Sequence, residues 1–73
     1  MTTVEIRKYI YEEMTKHLEN MCAYHATGNM DLFRYNAGKA DGCRKLLEEI
    51  FSFDERYADK HVKAMWEIMD ENW

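Results

Sequence analysis

The 73-residue chain has no proline, three glycines, two cysteines and no long apolar run. The missing proline excludes collagen-like and Pro-rich linker classes. Without a stretch of about 18 apolar residues, no segment is expected to span a membrane. The opening Met1-Thr2-Thr3-Val4-Glu5 lacks the basic and apolar regions of a signal peptide, so the expected compartment is cytoplasmic. Basic residues are in the minority, 10 against 14 acids, for a net charge of −4. That balance weighs against nucleic-acid binding, which needs clustered Lys and Arg to displace counterions.

What is present reads as one small all-α domain. Apolar residues make up 47% of the chain and aromatics 14%, enough to argue against disorder. Thr2 followed by Glu5 is a capping-box pattern. After it, Val4, Tyr11, Met14, Leu18, Met21 and His25 recur at helical spacing, with Ile10, His17 and Tyr24 on the flank. Gly28 then suits the left-handed position that ends a helix, and Asn29 suits the next N-cap. So short a link makes the flanking helices antiparallel neighbours. In the second pattern Phe33, Ala40, Leu47 and Ile50 keep core spacing, with Ala37, Cys43 and Leu46 beside them. Ser52 followed by Glu55 repeats the capping pattern. A third stripe follows through His61, Val62, Met65, Trp66, Ile68, Met69 and Trp73. The expected helices span about 3–26, 30–51 and 53–72. The third would pack across the hairpin or across a dimer partner.

The small residues of helix two, Gly38, Ala40, Gly42 and Cys43, suggest close approach by another helix. Interior glycines cost about 1 kcal/mol each against alanine, and a packing gain should offset that. In the hairpin, Cys22 lies about six residues before the turn and Cys43 about fourteen after it, roughly 12 Å apart along the axis. A disulfide needs Cα atoms within about 7 Å, so no intramolecular bridge is expected.

Chemistry-bearing motifs are thin. Cys22, His25 and His17 could seed a zinc or thiol site, but structural zinc wants four ligands from well-spaced pairs. No phosphate loop and no Ser-His-Asp ordering is present. A helix-turn-helix around residues 51–53 would open its recognition helix with Asp54, Glu55 and Asp59, which repel phosphates. No catalytic residue, metal or cofactor is therefore expected, and neither a nucleic acid nor a membrane as partner.

Residues 52–73 carry three bases and six acids, three of the four net negative charges, on the segment that also holds both tryptophans. Val62, Met65, Trp66, Ile68, Met69 and Trp73 form two adjacent ridges, more than one short helix easily hides. The expectation is a non-catalytic interaction module that self-associates, as a dimer, through ridges of helices one and three. Two alternatives stand beside it. One is a small acidic regulator docking its third helix on a host protein. The other is a metal- or thiol-dependent enzyme using Cys22, His25 and His17. In size, in its lone hairpin turn and in its lack of motifs, the chain resembles the small proteins of phages and prophages.

Overall fold

The computed structural model describes residues Thr2–Asn72. Within them the chain is all-α, with helix α1 at Thr3–Thr27, α2 at Met30–Phe51 and α3 at Lys60–Asn72. A short 3-10 turn at Glu55–Tyr57 lies between α2 and α3.

The first two boundaries follow from their caps. The Thr2 hydroxyl accepts from the Glu5 N–H at 3.2 Å, and the Glu5 carboxylate accepts from the Thr2 N–H at 3.2 Å. That reciprocal pair satisfies two amides that no helical carbonyl can reach. Gly28 ends α1 at φ 77°, where a side chain would be strained. Its N–H donates to the His25 carbonyl at 3.2 Å, and the Asn29 N–H donates to the Tyr24 carbonyl at 3.0 Å. These two bonds form the Schellman pattern. The Asn29 side chain then accepts from the Leu32 N–H and starts α2.

The third helix starts at Lys60, seven residues later than the expected 53, and the reason is local. Ser52 adopts the left-handed conformation at φ 51°, ψ 35° and so ends α2 rather than capping α3. The N–H groups of Ser52 and Phe53 both turn back to the Leu47 carbonyl. The Asp54 carboxylate accepts from the Arg56 N–H at 2.9 Å and its guanidinium at 3.2 Å, which caps one 3-10 turn. Short polar side chains of this kind offer the backbone an alternative to a continuous helix. Ala58 is extended at ψ 147°, and the first α3 bond runs from the Lys63 N–H to the Asp59 carbonyl.

The core is a single cluster. Met14, Leu18 and Met21 of α1 meet Phe33, Ala37, Ala40 and Leu47 of α2, and Val62, Trp66 and Met69 of α3 close over them. The large Met14 and Leu18 thus share a core with the small Ala37 and Ala40. α3 lies closer to α1 than to α2. Several apolar stripe residues fall outside this core. Val4 and Ile50 are mostly exposed, and His25 and His61 are exposed as well, because the cluster is centred on the middle of the hairpin.

The ridge expected to meet a partner is consumed within the chain. Val62 and Met69 are fully buried and Trp66 is only 6% exposed, while Met65 and Ile68 are half-buried against the same core. The expected interface at these residues is therefore corrected: α3 is amphipathic enough to bury its ridge on the hairpin it belongs to. Trp73 lies outside the described residues.

Candidate interaction surfaces

Two linkages fix α3 and so decide which face of the hairpin stays open. At its start, the Tyr11 hydroxyl donates to Asp59 Oδ2 at 3.0 Å and accepts from the Asp59 N–H at 3.1 Å. Loss of water around the ring raises the Tyr11 pKa, and the adjacent Asp59 carboxylate adds to the rise. At its end, Arg44 of α2 donates to Asp41 at 3.1 Å and to Asp70 at 3.3 Å. Its guanidinium also lies 5.4 Å from the Trp66 ring centroid. Desolvation lowers the Arg44 pKa, but the two carboxylates outweigh it and hold the net shift upward. This clasp explains an acid in the last turn of a helix, where the dipole alone disfavours it. The buried Trp66 Nε1–H finds no acceptor, so Arg44 and the edge of Phe53, 6.3 Å away, hold the ring.

The first surface is the side of α2 turned away from this clasp. At 3.6 residues per turn, Tyr35 and Leu46 lie roughly 180° and 200° around the helix from Arg44. With Leu32 and Ile50 they make one stripe, 39–65% exposed. Gly42 sits in its middle. A methyl group built there meets nothing within 4 Å, so the expected close packing at Gly42 is corrected: among the described residues no other helix approaches it. Of the other small residues, Ala40 is buried in the core, and Gly38 and Cys43 are half-buried. Lys39 bends over the Tyr35 ring, 5.4 Å from its centroid. Glu13, on one flank of α1, and Lys39 both act electrostatically on the Cys43 thiol. Ile6, Ile10 and His17 lie on that flank, exposed or half-buried.

The second surface is a groove of about 600 Å³ at the open end of the hairpin. Val4, Arg7, Lys8 and Tyr11 of α1 form one wall, and Phe51, Phe53, Tyr57 and Asp59 supply much of the rest. Phe53 organises it, with ring centroids 5.7 Å from Tyr11 and 6.3 Å from Tyr57. Nothing in the periodicity of the sequence marked this groove, because its far wall is the non-helical segment read there as helix.

The residues of the metal or thiol reading do not converge. Among the described residues, no three His, Cys, Asp or Glu side chains are placed to hold a metal ion. Cys22 and Cys43 are free and half-buried, and burial raises both thiol pKa values, Glu13 adding to the rise at Cys43. A thiol held protonated is a poor nucleophile. His17 Nε2 lies 4.0 Å from Glu13, and its Nδ1 is buried without a partner. His25 instead packs its ring 5.4 Å from Phe33. Among the described residues no helix is long and apolar enough to cross a membrane. Comparisons with protein-family models, with curated proteins and with solved structures return no match to this chain.

Proposed function

We propose that the protein is a small non-catalytic interaction module that self-associates through the outer stripe of α2. The observation carrying this reading is the stripe itself: Leu32, Tyr35, Leu46 and Ile50 stand exposed in a row, with open space over Gly42 between them. The spacing 35, 39, 42, 46 reads the same in both directions, so a two-fold axis between Lys39 and Gly42 pairs the centre of the stripe with itself. Tyr35 then faces the partner's Leu46, and the stem of Lys39 covers the partner's Gly42. Isologous pairing of this kind is the commonest route to a dimer.

Area decides how strong the dimer is. A 22-residue helix is roughly 33 Å long, and a strip about 10 Å wide along it offers about 330 Å² per partner. A standard interface buries about 800 Å² on each side. The stripe offers less than half of that figure, so a weak, concentration-dependent dimer in the micromolar range is expected. The regulator reading loses support by comparison, because the apolar anchors it needs on α3 are buried.

Sedimentation equilibrium tests the proposal. The expected mass rises from one chain to two across micromolar concentrations, and Leu46→Glu holds it at one. A single-chain mass throughout, or a dimer indifferent to Leu46→Glu, overturns it.

A further inference from the structure

The groove at the open end of the hairpin is a separate surface, with a chemistry the outer stripe of α2 lacks. Its walls are aromatic and aliphatic: Tyr11, Phe51, Phe53, Tyr57 and Val4. Its rim is cationic, although the whole chain carries −4. Arg7 lines both this groove and a contiguous smaller cleft of about 290 Å³. Among the described residues Arg7 makes no ion pair and no side-chain hydrogen bond. Lys8 has one exposed partner, Glu12, at 4.0 Å. The one acid in the lining, Asp59, is already engaged by the Tyr11 hydroxyl. Arg7 is thus left over aromatic walls with its charge uncompensated, and Lys8 beside it is only loosely paired.

We infer that this groove binds a small amphipathic carboxylate: a flat apolar body lying against the Tyr11, Phe53 and Tyr57 rings, with its carboxylate on Arg7. The volume is in the range of small-molecule sites, roughly 300–1,000 Å³. The planar guanidinium suits two parallel hydrogen bonds to a carboxylate, which a lysine cannot offer. Lys8, more mobile and partly drawn to Glu12, adds charge and less geometry. An acid with an aromatic body supplies both halves of the fit. It can arrive as a free acid or as the carboxyl end of a peptide.

Titration with 4-phenylbutyrate, its neutral amide and acetyl-Gly-Phe, followed by NMR of the side chains, tests the inference on the parent chain and on Leu46→Glu, in which self-association does not compete. The expected result is saturable shifts at the Tyr11, Phe53 and Tyr57 rings with one or both acids. Phenylbutyrate acting alone identifies a free acid, and the peptide alone a chain terminus. The amide should bind about tenfold more weakly. Arg7→Gln, at an exposed position that leaves the fold intact, should weaken the acid about tenfold, and Lys8→Gln by less. No saturable shift with either acid, equal binding of acid and amide, or an Arg7→Gln variant that binds as well as the parent chain overturns it. Self-association can fail its own test without touching this outcome.

Discussion

The two sides of α2 carry similar side chains and have opposite fates. Towards the core, Ala37 and Leu47 vanish from solvent in the cluster that α1 and α3 complete. Away from it, Leu32, Leu46 and Ile50, no less apolar, remain in water. Hydrophobicity does not separate the sides, since each presents aliphatic residues at helical spacing. Coverage does, and coverage is set by α1 across the hairpin and by the pair of linkages that pin α3. Burial is therefore a property of the assembly of elements. A two-helix layer has two faces to hide, and one 13-residue helix hides only one of them.

The comparison breaks most visibly at Met69. Met69→Ala removes a fully buried side chain from under the hairpin and is expected to cost about 2–5 kcal/mol. In a domain this small that approaches the whole stability. Tyr35→Ala on the bare side should change monomer stability by no more than about 0.5 kcal/mol. Urea denaturation of both variants checks the pair, and equal costs would erase the distinction between covered and bare sides.

Tyr11→Phe sharpens the comparison by loosening the cover without touching the core. Two hydrogen bonds to Asp59 are lost at the start of α3, and the expected cost is about 1 kcal/mol. The same tyrosine gives a pH signature. Its pKa is raised in the folded chain, so the folded state favours the neutral phenol. The contribution is complete below the unfolded tyrosine value near 10 and is lost as the pH rises through the folded value. Thermal unfolding followed into the alkaline range should fall more steeply for the parent chain than for Tyr11→Phe.

Gly42→Ala has opposite signs in the two states of the bare side. In the monomer the added methyl meets nothing within 4 Å and lies in a helix interior, so stability should rise by roughly 0.5–1 kcal/mol. In the dimer the same methyl occupies the space proposed for the partner's Lys39 stem, and association should weaken. Denaturation at low concentration and sedimentation at high concentration separate the two effects. A variant that gains stability and dimerises as before would move the two-fold axis away from Gly42.

How much of this was legible in the sequence differs from one junction to the other. Thr2 with Glu5 and Gly28 with Asn29 declared themselves, because each residue type has a single local reason to be there. The core followed from the same periodicity through Met14, Leu18, Phe33, Ala40, Leu47, Val62 and Met69. Ser52 misled for a physical reason. Serine is a good N-cap and a poor left-handed residue, so its pairing with Glu55 reads as a helix start, while the structure uses it to end one. Asp59, the residue that opens α3, spends its side chain on Tyr11, a partner 48 positions away that no local pattern reveals. The bare stripe was hidden for a related reason. Leu46 and Ile50 fit a core pattern as well as their buried neighbours do, and only the positions of α1 and α3 tell them apart.

The smallest expected effect lies at that misread junction. Ser52 holds a left-handed backbone that costs an ordinary residue about 1–2 kcal/mol relative to glycine. Glycine gives part of that back through the greater freedom of its unfolded chain. Ser52→Gly is therefore expected to stabilise the fold by several tenths of a kcal/mol, read as a small upward shift in thermal midpoint. The Ser52 side chain makes no hydrogen bond among those of the described residues, so nothing is lost in exchange. The alternative end of α2 is a helix continuing straight through 52 and 53, which would lift α3 off the hairpin and uncover the face it hides. Glycine disfavours that continuous helix and proline would forbid it, so a destabilised Ser52→Gly would mean that the chain gains from the continuous form. The contrast between a covered and a bare side would then belong to one of two conformations and not to the fold itself.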